Sequence, residues 1–331
     1  MERQEHRAVA EAARAHERFL WGLCYRMTGV AADADDLVQE TYARALATPP
    51  ERKASLRPWL TRVAVNLARD HLRRRRRERY VGPWLPSPLD TGDASTDPGS
   101  EGAQGLDLPP GVEARLPGGG STEGRYELLE SVSYAFLLAL EALAPKQRAV
   151  LLLRDVFDYS VREVAEALCM SEVNVKVVHH RARAAMAEYD RARCIPTREL
   201  QERTRLALEG FLSALLSGDV AAAEALLSSD VRAVTDGGGQ VRAARVLVVG
   251  AKRVLTFLQR LVELRGPPAA AEIQMLNGLP ALVAVYAAAE DPMLASRAVV
   301  RIELGEDGRI TQVHSVLTDR KLSGLRLPPR V

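Results

Sequence analysis

The sequence lacks the features that would indicate a membrane, secreted or metal-binding protein. It has no run of eighteen uncharged apolar residues, so no transmembrane helix is predicted. The first eighteen residues mix Glu with Arg and hold no apolar stretch, which argues against a signal peptide. Cys24, Cys169 and Cys194 are far apart and form no C-x-x-C pair, so neither a zinc site nor a disulfide framework is expected. These absences predict a cytoplasmic protein without a metal or other cofactor.

The small net charge of +2 hides a strong separation of charge along the chain. Residues 1–80 carry 17 Lys and Arg against 11 Asp and Glu, whereas residues 81–124 carry one basic residue against seven acidic ones. Residues 125–193 are balanced, with ten of each. This separation indicates one part that binds a polyanion and an acidic connector beside it.

The length of 331 residues fits two or three domains, and composition indicates where they divide. Residues 81–124 are rich in Gly, Pro, Asp and Ser and show neither helical nor strand periodicity, so they are predicted to be a linker. A structureless loop of that length is uncommon inside a compact domain. The predicted domains are therefore 8–80, 125–193 and 200–331.

The periodicity of apolar residues predicts helices in the first two domains and an α+β pattern in the third. In domain 8–80, a helix is expected to end at Gly29, a second to be capped by Asp33, and a third to run from Pro58 to about Arg79. Helices are then expected at 125–143, 145–156, 160–168, 172–190, 204–217, 219–228 and 250–264. Strands are expected at Val231–Thr235, Gln240–Val249, Ala271–Leu276, Ala281–Ala287, Ala298–Leu304 and Ile310–Leu317, forming one curved antiparallel sheet.

The third helix carries a basic face. Arg62, Asn66, Arg69 and Arg73 recur at helical spacing opposite an apolar stripe, and the helix continues into further arginines at Arg74, Arg75, Arg76 and Arg77. Arginine pairs with phosphate oxygens and Asn pairs with base edges. A solvated surface is the alternative, but so dense a cluster repels itself without a polyanion partner, which favours nucleic acid.

Residues 160–190 have the pattern of a helix-turn-helix. Ser160 and Glu163 fit a capping box, and Ser171 is placed to cap a second helix after a short turn. That second helix presents Glu172, Lys176, His179 and Arg183 on its free face. Because many helical hairpins do not read DNA, this pattern alone leaves a structural role open.

Both regions together resemble the extracytoplasmic-function family of RNA polymerase sigma factors. The stretches Asp33–Leu46, with the sequence DADDLVQETYARAL, and Arg57–Arg74, with the sequence RPWLTRVAVNLARDHLRR, resemble region 2 of that family. The stretches Leu143–Arg154 and Tyr159–Ala167 resemble region 4, and Met170–Arg183 fits its recognition helix. The two regions occur in the order that the family expects.

The resemblance implies roles for these residues. It implies that core RNA polymerase is bound through its β′ clamp and β flap, the clamp contacting Asp33, Asp35, Asp36, Gln39, Glu40 and Arg44. It implies contact with the promoter −10 element for Arg62, Asn66, Arg69 and Arg73–Arg77, with a flipped base held by the loop Thr48–Leu56. It implies contact with the −35 element for Glu172, Asn174, Lys176, His179, Arg181 and Arg183. The family's turn usually has Gly where this chain has Cys169, so a slightly different turn is expected.

Residues from about 200 onward resemble the SnoaL-like branch of the NTF2-like cone fold, an extension found in a subgroup of these sigma factors. Three stretches carry the resemblance: Trp84-Leu85-Pro86, Asp236-Gly237-Gly238-Gly239 and Asn277-Gly278-Leu279-Pro280. The first two are expected to form a regulatory contact, because an exposed Trp between prolines needs a partner surface.

The third domain leaves alternatives open. Asp236, His314 and Tyr286 are candidates for acid–base chemistry, but Asp236 beside three glycines is more simply a turn residue, so catalysis is not expected. A small-molecule ligand of this domain remains open. Two alternatives to a sigma factor are a one-component helix-turn-helix regulator and an enzyme fused to sigma-like domains.

Overall fold

The computed structural model describes residues 15–47, 56–78, 80–92 and 129–328. The described chain divides into two compact units. The first comprises residues 15–47, 56–78 and 129–195, and the second comprises residues 80–92 and 196–328. Each helix within these ranges is too short or too polar to cross a membrane.

Three helices form the amino-terminal part of the first unit: α1 (Glu17–Thr28), α2 (Ala31–Ala47) and α3 (Leu56–Arg77). Helix α1 is buried from Phe19 onward and ends at Gly29, which has a φ of 72° and donates its N–H to the Tyr25 carbonyl oxygen. Helix α3 begins two residues before the expected start, so Pro58 lies in its first turn, where a missing N–H costs nothing.

The remainder of the first unit is also helical. A short 3₁₀ turn, Glu130–Val132, precedes α4 (Tyr134–Leu140), α5 (Pro145–Asp155), α6 (Val161–Leu168), α7 (Glu172–Ala185) and α8 (Ala187–Arg191). The expected helix 125–143 is therefore shorter, and its first four residues lie outside the described chain. The expected helix 172–190 is interrupted at Met186, which is buried.

The second unit is an α+β domain. Its helices are α9 (Arg198–Ser217), α10 (Val220–Ala225), α11 (Ala251–Arg265) and α12 (Asp319–Leu322). Its strands are β1 (Leu227–Asp236), β2 (Val248–Val249), β3 (Ala270–Leu276), β4 (Leu279–Val285), β5 (Arg297–Leu304) and β6 (Ile310–Val316). The core lies between the sheet and α9 and α11, and includes Leu208, Phe211, Val254, Leu255 and Ile302.

The six strands follow the order β2-β1-β6-β5-β4-β3, and β1 pairs with β6 in parallel. The expectation of an antiparallel sheet was therefore wrong for this pair, although the other pairs are antiparallel. The expected strand Gln240–Val249 is reduced to Val248–Val249, since the segment before it follows three glycines and forms a loop. The predicted combination of all-helical regions with an α+β domain toward the carboxyl terminus is confirmed.

Candidate nucleic-acid interface

Helix α2 presents an exposed stripe that contains most of the residues expected to contact polymerase. This stripe consists of Asp35, Asp36, Gln39, Glu40 and Arg44. Arg44 and Glu40 form an ion pair at 2.9 Å, and the Trp21 indole N–H donates to Asp35 Oδ1 at 2.7 Å. The buried side of α2 carries apolar residues such as Leu37 and Val38, so packing against the other helices fixes which face is exposed.

Asp33 differs from the rest of the expected set. The structure places it inside the first turn of α2 and not at the cap, and its carboxylate is buried. His71 of α3 lies 3.0 Å from Asp33 Oδ2. A buried, paired carboxylate ties two helices together, so its position is that of a structural residue.

The carboxyl-terminal half of α3 exposes a dense group of cations. Arg74, Arg76 and Arg77 are exposed, as is Arg73, which pairs with Asp70 of the same helix at 3.0 Å. Asn66 is also exposed and lies 3.4 Å from an Arg69 donor nitrogen. These side chains form a basic surface suited to a phosphate backbone.

Two arginines of the expected DNA-binding set instead make contacts within the first unit. Arg62 donates to the carbonyl oxygens of Glu166 and Ala167, at 2.8 and 3.3 Å. Arg75 donates to the Thr28 carbonyl oxygen and pairs with Glu141. Both guanidiniums therefore satisfy carbonyl oxygens at the ends of helices, which have no partner inside their own helix.

Sequence patterns did not identify several other residues that hold this unit together. Arg148 is buried, donates to the Met27 carbonyl oxygen at 2.6 Å and pairs with Glu141. Arg57 lies over the rings of Phe19 and Tyr159, with its guanidinium carbon 4.7 and 5.0 Å from their centres. Met27 is 121 residues from Arg148 and Tyr159 is 102 residues from Arg57, so no local spacing indicates these contacts.

Helices α6 and α7 form the expected helix-turn-helix. Ser160 accepts the Glu163 N–H and Glu163 accepts the Ser160 N–H, which confirms the capping box. Ser171 accepts the Asn174 N–H at the start of α7. Cys169 occupies the left-handed region with a φ of 51°, so it takes the conformation that glycine usually supplies, and the expected difference in the turn is absent.

The free face of α7 carries most of the residues expected to read the −35 element. Glu172, Asn174, Lys176 and Arg181 are exposed, and Arg183 is half-buried. His179 is positioned differently, because its Nε2 lies 2.8 Å from Asp155 Oδ1 on α5. That contact directs the imidazole toward the body of the unit.

The second unit consists of two segments. Residues 80–92 are here called the connector, and residues 196–328 are called the C-terminal domain. The connector binds to the C-terminal domain. The buried carboxylate of Asp236 accepts hydrogen bonds from the Tyr80 hydroxyl, the Leu85 N–H and the Gly238 N–H, and it pairs with Lys321 at 2.5 Å. Lys321 also donates to the Leu85 carbonyl oxygen at 2.6 Å. Asp236 is therefore more than a turn residue.

The tryptophan of the expected contact lies against the same lysine. The Lys321 ammonium is 4.8 Å from the centre of the Trp84 ring, and Leu85 and Pro86 are buried. Gly238 and Gly239 both have positive φ and lie close to Tyr80 and Val81, whereas Gly237 packs against Val241 and Ala243. Lys321 was not identified from the sequence, because a lysine near a helix end is ordinarily exposed.

The other end of the connector adds to the edge of the sheet at the β3–β4 turn. Leu89 and Asn277 exchange two hydrogen bonds of 2.8 Å, and the Thr91 N–H donates to the Met275 carbonyl oxygen. Thr91 Oγ1 accepts the Gly278 N–H at 3.0 Å. The connector thus contacts the last strand at one edge of the sheet through backbone pairing.

The three residues considered for catalysis are not gathered at one site. The Asp236 carboxylate is occupied by the donors described above. His314 is fully buried beside Gln312 and Glu303, and burial lowers its pKa to about 4. Tyr286 lines a cavity that includes neither Asp236 nor His314. Within the described chain, no group of three His, Cys, Asp or Glu side chains is arranged to hold a metal ion.

Comparison with known proteins agrees with this geometry. Residues 12–78 match the family model of sigma-70 region 2, and residues 133–186 match that of sigma-70 region 4. The basic helix and the helix-turn-helix therefore define a promoter-binding protein of the sigma-70 class. The chain is 30% identical over 325 residues to the ECF RNA polymerase sigma factor SigJ of Mycobacterium tuberculosis, covering 97% of this chain and 94% of the relative.

One further relative and a solved structure of SigJ show the same full-length correspondence. A probable ECF sigma factor of the same organism, SigI, is 28% identical over 97% of each chain. The crystal structure of M. tuberculosis SigJ superposes with a TM-score of 0.67 at 26% identity, covering 96% of this chain and 99% of that one. The chain belongs to the extracytoplasmic-function family of RNA polymerase sigma factors, which bind core polymerase and promoter DNA.

Proposed function

We propose that the exposed stripe of α2 docks on the β′ clamp and that the helix-turn-helix region docks on the β flap. The observation that supports the first contact is the shared exposure of Asp36, Gln39, Glu40 and Arg44 on one helix face. Copurification of core polymerase with the protein tests it. Charge reversal of Asp36 and Glu40 should abolish the copurification of core polymerase. The same type of change at Glu188 should leave copurification intact. This pair of results supports the clamp contact. Failure of the unaltered chain to retain polymerase would favour a one-component DNA-binding regulator.

For promoter contacts, we assign the exposed arginines of α3 to the −10 element and the free face of α7 to the −35 element. The support is exposure, charge and position on a helix-turn-helix. Arg62, Arg75 and His179 contact promoter DNA only after they leave their partners within the first unit. The loop Thr48–Leu56 lies, except for Leu56, outside the described residues, and its role with a flipped base stays a prediction. The cytoplasm is the proposed location of the protein.

The C-terminal domain is proposed to regulate the sigma regions through the connector. The observation that carries this proposal is the Asp236 carboxylate, which binds Tyr80 and Leu85 of the connector. The connector follows region 2 directly in the chain, so its attachment limits how freely region 2 and region 4 separate on polymerase. Residues 93–124 of the expected linker lie outside the described chain, and the domain boundaries remain predictions.

A truncation tests this regulatory role. Deleting residues 204–331 removes both Asp236 and Lys321 and frees the connector, so run-off transcription with core polymerase should rise. The matched variant is the full chain with Asp236→Asn, which should shift activity in the same direction. Equal activity of full-length and truncated protein, at equal folded concentration, would contradict regulation and favour an independent C-terminal module.

Binding, and not catalysis, is the role proposed for the C-terminal domain. The support is that the Asp236 carboxylate is occupied and that His314 lies outside the cavity lined by Tyr286. Turnover of a ketone substrate by the full chain would overturn this proposal. The small-molecule ligand that the sequence left open has a candidate location in that cavity.

A further inference from the structure

A cavity of about 720 Å³ lies inside the C-terminal domain, lined by α9, α11 and the sheet. Phe211, Leu212 and Leu215 of α9 form one part of its wall, and Phe257 and Leu261 of α11 form another. Pockets that hold small organic ligands fall in the same size range and are also lined mainly by apolar side chains. The wall therefore favours an extended apolar group.

The charged side chains that line this cavity are all of one sign. Its described lining includes Arg242, Arg245 and Arg265 but no Asp, Glu, Lys or His. Arg242 pairs with Asp291 at 3.1 Å, and the Arg265 guanidinium lies 4.4 Å from the centre of the Tyr286 ring. Arg245 is exposed and forms no ion pair with the described residues. A ligand with a negative charge is therefore favoured over one with a positive charge.

A buried hydroxyl gives the cavity a polar end. Thr235 is 2% exposed, and its Oγ1 has no hydrogen-bond partner among the described residues. It lies opposite Ser315, which also lines the cavity. An unpartnered buried hydroxyl is unfavourable unless something binds it. Two residues further on, Gly237 packs against Ala243, which brings the loop that carries Arg245 to the same end as Thr235.

We propose that this cavity binds a medium- or long-chain monocarboxylate of the fatty-acid class. The alkyl chain lies between α9 and α11. The carboxylate accepts a hydrogen bond from the Thr235 hydroxyl and lies near the Arg245 guanidinium.

The connector supplies part of the same wall. Val81 and Gly82 line the polar end, where Gly82 lies beside the Arg245 backbone and Val81 beside Gly239. A ligand seated there contacts the segment that leads from region 2. Any regulatory effect of ligand binding therefore rests on the proposed regulatory role of the C-terminal domain. Ligand binding itself does not depend on that role.

Titration calorimetry of the full chain, without polymerase, tests binding. Dodecanoate below its micelle concentration should bind with one equivalent per chain, and dodecyltrimethylammonium, with the same chain length and opposite charge, should bind at least tenfold more weakly. Equal affinity for the two probes, or no binding of dodecanoate, would overturn the proposal. Because polymerase is absent, this result is separate from the truncation experiment.

Three variants locate the site. Leu212→Trp fills the apolar end and should abolish binding, whereas Leu206→Trp, on the same helix but exposed and outside the cavity, should leave it unchanged. Thr235→Val should fold at least as stably as the unaltered chain and bind about tenfold more weakly, since it removes a hydrogen bond to a charged group. Arg245→Ala should weaken binding by about two- to fivefold, as expected for an exposed ion pair. Unchanged affinity in folded Thr235→Val protein would refute the assigned carboxylate position.

Discussion

The guanidinium of Arg62 lies on the end of α6, where its Nη2 donates to the Glu166 carbonyl oxygen at 2.8 Å. The same side chain is expected to face the −10 element. It therefore has two mutually exclusive partners, a helix end within the first unit and a DNA backbone. Promoter binding must supply contacts that replace the one that is lost.

Replacing Arg62 by Ala should lower the stability of the first unit by about 1 kcal/mol, because a partly exposed charged hydrogen bond is lost. The Ala167 carbonyl oxygen then relies on water, and the Glu166 carbonyl oxygen keeps the Cys169 N–H at 3.4 Å. Urea unfolding measures the change. Arg69→Ala serves as the control, since Arg69 contacts only its own helix in the described hydrogen bonds. Equal destabilisation by both changes would contradict a specific role for the contact with α6.

Alanine at Arg74, Arg76 and Arg77 should flatten the salt dependence of DNA binding by about 2–3 units, since each phosphate contact contributes about 0.9. Arg75 is left unchanged because it pairs with Glu141. Filter binding across a salt series gives the slope. Alanine at Lys252, Arg253 and Arg260, which are exposed cations of α11, removes equal charge and should leave the slope nearly unchanged.

Lys176→Ala and Arg183→Ala should each cost about 1–3 kcal/mol at particular positions of the −35 element if they contact bases. Selection from a randomised promoter library measures the change in preference. Arg191→Ala provides an exposed cationic control on α8. A uniform loss over all sequences would instead assign these side chains to phosphates.

Asp236→Asn should destabilise the C-terminal domain by about 3–5 kcal/mol, because it leaves the buried Lys321 ammonium without its carboxylate. Adding Lys321→Met should recover part of that loss, since both charges are then absent. Urea unfolding followed by Trp84 fluorescence, in a Trp21→Phe and Trp59→Phe background, reports on this domain. Additive effects of the two changes would show that the pair is not coupled.

His314 should make the C-terminal domain sensitive to acid. Burial lowers the pKa of its imidazole from 6.5 to about 4, so the unfolded chain takes up a proton at a higher pH than the folded one. Stability is therefore lost as the pH falls from about 6.5 to about 4, by up to about 3 kcal/mol. Thermal unfolding over this range measures it. His314→Gln should flatten the curve, and an unchanged curve would assign the acid sensitivity to other groups.

Local sequence signals predicted the helices of the sigma regions well. The Ser160 capping box, the Ser171 cap and the Gly29 terminus depend on neighbours within about five residues, so the sequence contains all the information that they need. The spacing of polar residues likewise predicted the free face of α7, whereas the exposed residues of α2 were implied by the family resemblance.

Contacts between distant segments were not predictable in the same way. The parallel pairing of β1 with β6 joins segments about 80 residues apart, and neither strand's pattern indicates the direction of its neighbour. Lys321 was not predicted as a partner of Asp236, because the two residues are 85 positions apart in the sequence. For the same reason, Arg62, Arg75 and His179 were expected to be free to contact DNA.

The position of β6 has a consequence for the order in which the protein is made. This strand is the last of the six in sequence, yet it lies between β1 and β5 within the sheet. The ribosome must therefore release the chain through β6 before β1 gains its parallel neighbour, and through Lys321 before that residue reaches Asp236. Domains generally fold as units in the order of synthesis, so the helical sigma regions are complete first. During that interval the connector already exists, but the C-terminal surface to which it binds in the folded protein has not yet formed.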